Sequence, residues 1–303
     1  MRLRIKFRKY GPVRYTGHLD VMRFFQKAIR RAQIDVVYSR GFSPHQVMAF
    51  AAPLGVGLTS NGEYMDIEVH SITSCADVLE RLNAVSAPGI EVTSVKILPD
   101  AAGNAMASVA AAAYTVRFRE GREPGADLAA ALPAFLSREQ ILVTKETKKG
   151  KREVDIRPGI FQLAVCMEDF CMEEGQTGGR MVIRMLVDAS SSGNIKPVQV
   201  IEAMLAEQGE SLQENALMIT REEVYAEMPS SHDTAASERI LVTSERVLVP
   251  LDAVGTGHSV EMEEGHSMEE GHSMEEGHSV EEGHSVEENH SPEEEYSLYG
   301  KGD

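Results

Sequence analysis

Three side chains able to move a proton stand beside glycines in the N-terminal quarter of the chain. His18 and Asp20 lie in Gly17-His18-Leu19-Asp20, and His45 closes Gly41-Phe42-Ser43-Pro44-His45. Histidine titrates near neutrality, so His18, Asp20 and His45 form the candidate acid/base set. A helix should also begin near His18, and the exposed N–H groups of a helix start attract phosphate. Two other roles therefore stay open for these residues. One is contact with a phosphate or ligand; the other is plain structure, with His18 packing and Asp20 offsetting the helix dipole.

The second chemistry is electrostatic. Residues 1–60 carry eleven Lys and Arg against Asp20 and Asp35, a net of +9, while residues 251–303 carry sixteen acidic side chains against Lys301. Removing that −15 from the total of −17 leaves residues 1–250 near −2. A basic N-terminal segment in an otherwise acidic chain is the asymmetry of a protein that meets a polyanion at one end. The cations expected to contact nucleic acid are Arg4, Lys6, Arg14, Arg23, Lys27, Arg30, Arg31 and Arg40, joined from downstream by Lys148, Lys149, Lys151 and Arg152. Tyr15 and Phe42 would stack on unpaired bases, with Tyr10 and Tyr38 as further aromatics. An ordinary solvated surface is the alternative. The glycines at 41, 55 and 57 do not spell a phosphate loop, since Gly-x-x-x-x-Gly-Lys is absent, and they more simply fix tight turns.

The elements that must position these groups follow from periodicity. Residues 2–8 alternate, with Leu3, Ile5 and Phe7 on one face and Arg2, Arg4, Lys6 and Arg8 on the other, which predicts a half-buried strand with a cationic outer side. Residues 18–32 place Leu19, Met22, Phe25, Ile29 and Ala32 at helical spacing and Arg23, Lys27, Arg30 and Arg31 opposite. A short strand at 35–38, a shaped loop at 39–45, strands at 47–51 and 63–70 joined through an Asn61-Gly62 turn, a helix at 77–83 and a strand at 90–98 follow. Strand, helix, hairpin, helix, strand is the ferredoxin-like order. The fold class expected is α+β, two ferredoxin-like modules in tandem plus a disordered acidic C-terminal repeat tail. The basic first module takes residues 1–100 and a linker 101–113; the second α+β module takes 114–228. Residues 229–256 form a connecting segment of unassigned structure, and 257–303 the tail.

That tail repeats Gly-His-Ser-Val/Met-Glu-Glu and has too little aliphatic surface to offset chain entropy. Its histidines, His266, His272, His278, His284 and His290, are candidate weak zinc or nickel sites, and no metal site is expected in the folded body. Cys75, Cys166 and Cys171 are too few and too scattered for a disulfide framework. With no signal-like or membrane-spanning apolar run, a cytoplasmic protein off the membrane is expected.

Arg14-Tyr15-Thr16-Gly17-His18-Leu19-Asp20, Gly41-Phe42-Ser43-Pro44-His45, Lys148-Lys149-Gly150-Lys151 and Asp155-Ile156-Arg157-Pro158 agree in order and spacing with a bacterial family of radical-SAM-linked, or radical-SAM-associated, proteins. The chain resembles that family over about residues 1–220. Its members occur alone or joined to a cobalamin-binding radical S-adenosylmethionine protein. The resemblance therefore implies a partner that uses S-adenosylmethionine, an iron–sulfur cluster and cobalamin, and implies no reaction for the chain itself. Such an enzyme needs three clustered thiolates for its cluster, which the spacing of these cysteines does not offer, so no cofactor is expected on this chain. The combined expectation is a non-catalytic accessory subunit that binds RNA and presents substrate to the radical enzyme. Two alternatives are a metal-independent RNA-processing endoribonuclease with His18 as general base, by analogy with ferredoxin-like CRISPR repeat endoribonucleases, and a protein-binding scaffold that touches no nucleic acid.

Overall fold

A computed structural model of the chain describes residues 1–147, 150–171, 177–228, 241–243 and 246–259. Strand β1 (Arg2–Lys9) leads through a 3-10 turn, Gly11–Tyr15, into helix α1 (His18–Arg31). Two short strands, β2 (Asp35–Val36) and β3 (Met48–Phe50), precede the long β4 (Thr59–Ser71), helix α2 (Cys75–Ala84) and β5 (Ile90–Leu98). A single helical turn, α3 (Ala105–Ser108), leads to β6 (Ala111–Phe118), α4 (Leu128–Leu136) and the hairpin β7 (Leu142–Thr147) and β8 (Gly150–Asp155). Then come β9 (Ile160–Cys171), β10 (Thr177–Asp188), α5 (Pro197–Glu207) and β11 (Leu217–Met228), followed by β12 (Leu241–Val242), β13 (Val247–Pro250) and β14 (Thr256–Ser259).

The class is α+β, with one large mixed sheet and few helices. Twelve strands share that sheet, eight of them along the path β14-β5-β1-β4-β11-β6-β10-β9, with β2 and β3 also paired to β4, β13 to β11 and β12 to β13, while β7 and β8 form a separate two-stranded sheet. Within the first half, β5, β1, β4 and then β2 and β3 are antiparallel neighbours; within the second, β11, β6, β10 and β9 repeat that order. The halves meet where β4 and β11 run parallel, Thr220 opposite Thr59 and Arg221 opposite Ser60. Residues Met1–Glu261 accordingly make one compact unit; Met262–Asp303, with the repeat histidines, lie outside the described residues. Gly257, His258 and Ser259, assigned to the tail by composition, instead pair with β5.

Local chemistry explains the helices. In α1 the buried stripe is Val21, Phe25, Ala28 and Ile29, and Leu19, expected in the core, is 58% exposed because that stripe starts two residues later. Ser74 caps α2 by accepting the Asp77 N–H at 3.0 Å, and Asp127 does the same for α4 with Ala130 at 3.0 Å. One core lies under α1 and α2 (Phe7, Phe25, Ile29, Met65, Ile67, Leu82) and another under α4 and α5 (Val116, Phe118, Leu128, Phe135, Ile183, Ile201).

Asn61-Gly62 is no hairpin turn; both residues sit inside β4. A Cβ on Gly62 would stand 2.9 Å from Glu223 Cα, so glycine here lets β11 approach β4 closely.

The cationic side of β1 is not a surface either. β1 lies between β4 and β5, Arg4 is 1% exposed, and its Nε and Nη2 donate to the two Asp66 oxygens at 2.8 and 2.9 Å while Nη1 reaches the Leu251 carbonyl at 3.1 Å. Lys6 Nζ donates to Glu223 Oε2 at 2.6 Å, and the Tyr64 hydroxyl donates to Glu223 Oε1 at 2.6 Å and stands 3.2 Å from Asp252 Oδ1. Alternation alone does not distinguish a solvent face from a face whose charges are paired inside.

Removing one partner of such a pair strands a buried charge and costs about 3–5 kcal/mol. Arg4→Met should therefore lower unfolding stability by about that amount, and Arg4→Met with Asp66→Leu should recover much of it, as read from urea denaturation of the full chain. Losses that simply add in the double variant would show that the two side chains do not act as a pair.

Candidate nucleic-acid interface

The exposed cations sit on α1. Arg23, Lys27, Arg30 and Arg31 are all exposed, as their spacing requires once Val21, Phe25, Ala28 and Ile29 face inward. Arg23 contacts Asp20 at 3.3 Å with both side chains mostly in water, an (i, i+3) pair of small value. Arg30 Nε donates to the Gln26 carbonyl at 3.3 Å and Arg31 Nη2 to the Val85 carbonyl at 3.0 Å. Those contacts aim the two guanidinium groups and leave their charge uncompensated.

Beside this stripe stands the loop of residues 39–45. Tyr38 bridges Gln46, the Ser39 N–H donates to the His45 carbonyl at 2.8 Å, and Gln46 Nε2 donates to the Gln26 carbonyl of α1 at 3.1 Å. Inside the loop Ser39 Oγ lies 2.8 Å from His45 Nδ1 and accepts the His45 N–H at 3.1 Å. Gly41 adopts φ 126°, a region closed to most side chains. Arg40 is exposed at the tip, and the Phe42 ring next to it is fully exposed.

At the start of α1, the Arg14 guanidinium carbon lies 5.0 Å from the Tyr15 ring centroid, and Tyr15 is exposed. The Gly57 N–H donates to the Arg14 carbonyl at 2.8 Å, which brings the 53–58 loop alongside. Arg14, Tyr15, Arg23, Lys27, Arg30, Arg31, Arg40 and Phe42 therefore all belong to the helix α1 side of the first half. Arg4 and Lys6 do not: both are buried and paired, and neither offers its charge to a ligand at the surface. Lys148 and Lys149 lie outside the described residues. Lys151 and Arg152 are exposed on the β7–β8 hairpin, where Lys151 stands 3.7 Å from Glu146.

The three acid/base candidates have separate partners. Asp20 faces Arg23, His45 is held by Ser39, and the His18 ring meets the edge of Phe50 at 5.0 Å and 87°. What His18 does share is a cavity of about 10 Å³ with Lys9, Glu63, Phe50, Pro53 and Leu54, room for about one water.

Behind that cavity is a charge cluster that sequence reasoning missed. Lys9 is 2% exposed and donates to the Thr16 carbonyl at 2.8 Å. Burial pushes its pKa below the ordinary lysine value of 10.5, the Glu63 carboxylate pulls back upward, and Arg221 adds to the fall. Burial also works against the charge of Arg221, but Glu63, to which it is hydrogen-bonded, and Tyr114 outweigh burial and leave its pKa raised. Arg221 Nη2 also donates to the Ala52 carbonyl at 2.6 Å. The signal for Lys9 was present: one more step of the Leu3, Ile5, Phe7 alternation puts a lysine on the apolar face. Another missed charge is Glu168, which accepts from Arg117 at 2.8 Å and Arg184 at 2.6 Å; the Arg117 hydrogen bond is the main cause of its lowered pKa.

Among the described residues no three of His, Cys, Asp and Glu converge to hold a metal ion, and no helix is long and apolar enough to cross a membrane. The fold and this surface define an α+β protein with a basic, aromatic-tipped face on one helix. A family model described as "Uncharacterized protein conserved in bacteria (DUF2344)" matches residues 2–197, and the chain belongs to that family. No curated protein matches it.

Lys9 gives a pH prediction. Its folded pKa lies below its unfolded one, so between the two values the unfolded state binds more protons, and stability rises with pH there. In Lys9→Met that component is gone. The stability of the parent minus that of the variant should climb as pH is raised toward 10.5, measured by urea denaturation at a series of pH values. A difference that stays flat would mean Lys9 holds its proton as tightly folded as unfolded.

Proposed function

We propose that the chain is an RNA-binding accessory protein that works with a cobalamin-type radical S-adenosylmethionine enzyme and presents its substrate. The observation that carries the RNA half of this reading is the contrast between the two sets of cations. Arg4 and Lys6 are buried against carboxylates, whereas Arg23, Lys27, Arg30 and Arg31 are exposed on one face of α1 and Arg40 on the loop anchored to that helix, with Asp20 as the one acid among the described residues in salt-bridge contact with them. Cations held this close repel one another until an anion arrives, and a phosphate backbone gains counterion-release entropy at each contact. The partner half rests on the motif resemblance; S-adenosylmethionine, the iron–sulfur cluster and cobalamin belong to the partner in this reading, and both proteins to the cytoplasm. The shared strand order of the two halves supports reading each as a ferredoxin-like unit.

A second reading, a metal-independent endoribonuclease with His18 as base, draws on the cavity that His18 shares with Lys9 and Glu63. A substrate phosphate would have to open that cavity, since it admits about one water as it stands. Total cellular RNA incubated with the protein in the absence of metal should stay intact. Discrete products that disappear in His18→Ala would establish the nuclease instead.

The accessory reading is tested at both of its contacts. Reversing Arg23, Lys27 and Arg30 to Glu should weaken RNA binding and flatten its salt dependence by about two units of log affinity per log salt, at about 0.7 per lost contact on a single strand. Circular dichroism should match the parent, because the apolar face of α1 is untouched. RNA affinity and salt slope that survive the triple reversal in a folded protein would reduce the stripe to a solvated face. Anaerobic pull-down should recover a cobalamin-type radical protein, and failure to do so removes the partner from the proposal.

A further inference from the structure

We infer that Phe42 is the stacking platform for one unpaired base of a single-stranded RNA whose phosphates run along Arg23, Lys27 and Arg30. The inference rests on the RNA-binding reading above and names the form of RNA that the same surface takes.

Phe42 is the most exposed large apolar side chain among the described residues, and none of them covers its ring. Leaving a phenylalanine ring in water forgoes the burial free energy that such rings normally supply. A floppy loop would be a natural place for such a ring, but this loop is braced. The Tyr38–Gln46 bridge, the three contacts between Ser39 and His45, and the Gln46 bond to Gln26 hold its two ends together. The base of the loop is therefore closed, so less backbone freedom is left to lose when Phe42 takes a ligand.

The charge around it identifies the occupant. The anchor at Gln26 is one residue from Lys27 and one helical turn from Arg30, and Arg40 is two residues from Phe42. An apolar pocket on a protein partner would gain nothing from those cations, whereas a nucleotide supplies a π-face for Phe42 and a phosphate for the cations. At 1.5 Å rise per residue, Arg23 to Arg30 spans about 10 Å, a stretch that a short run of backbone phosphates can follow. Paired bases in a duplex turn their edges, not their faces, to a protein, so a ring that acts by stacking selects unpaired nucleotides.

The test uses the full chain and two probes of one sequence, an unstructured RNA of about twelve nucleotides and its duplex, in fluorescence anisotropy. Phe42→Ala should weaken single-strand binding by about tenfold and Phe42→Tyr should retain it, with the salt slope and duplex affinity of both variants equal to the parent's. The fully exposed ring carries no packing, so neither variant puts folding at risk. Single-strand affinity within about twofold of the parent in Phe42→Ala would overturn the stacking role and leave RNA binding in place. Equal losses on the single strand and the duplex would overturn it too, by showing that Phe42 shapes the loop and does not take a base. A parent protein that binds neither probe would bring down the RNA-binding reading itself.

Discussion

β11 carries Arg221 and Glu223 to opposite faces of the sheet, and the first half of the chain answers both. An irregularity in register between Arg221 and Glu223 is what turns the second charge to the other side. On the helix-covered face Arg221 meets Glu63 of β4; on the far face Glu223 meets Lys6 of β1 and the Tyr64 hydroxyl of β4. Around them the buried charges balance, with Arg4, Lys6, Lys9 and Arg221 against Glu63, Asp66, Glu223 and Asp252. A buried ion pair adds little net stability over a well-packed apolar pair, but misplacing one partner is costly. The consequence is registration. Sliding β11 along β4 by one residue would strand charges on both faces at once, so the seam between the halves has one permitted alignment.

That registration reaches the candidate interface through β1. The same strand that pairs Arg4 and Lys6 on one face sets Phe7 and Lys9 on the other, under α1 and the cavity beside His18. Lys9 ties itself to the Thr16 carbonyl, the last residue before Gly17 caps the helix, so a buried charge fixes where α1 begins. From that start, helical spacing alone decides that Arg23, Lys27 and Arg30 point to water. The exposed cations owe their direction to the buried ones.

Much of this was legible in the chain, and the failures share a cause. Periodicity located α1 and β5 to within a residue or two, because apolar spacing is a local signal. β9 went unread, since Ile160–Cys171 mixes Gln162, Glu168 and Asp169 into its apolar run and its partner β10 is set by tertiary pairing. The Asn61-Gly62 pair is a turn signal locally, yet its glycine serves the close approach of a strand that lies more than a hundred residues away in the chain. Arg4 and Lys6 were misplaced for the same reason, their carboxylate partners Asp66 and Glu223 being remote in sequence. The exposure of Arg23, Lys27 and Arg30 was legible because it follows from the apolar spacing within α1.

The histidines show how motif and mechanism part company. His45, Ser39 and Gly41 account for one another as the brace and turn of a loop, so their presence in Gly41-Phe42-Ser43-Pro44-His45 needs no proton transfer to explain it. His18 follows the cap residue of α1 and packs on Phe50, and Asp20 complements the helix dipole beside Arg23. Each residue of the would-be acid/base set thus has a structural employment nearby. Among the described residues Phe42, an aromatic ring fully open to water, has none, and Lys27, Arg30 and Arg31 have no salt-bridged acid.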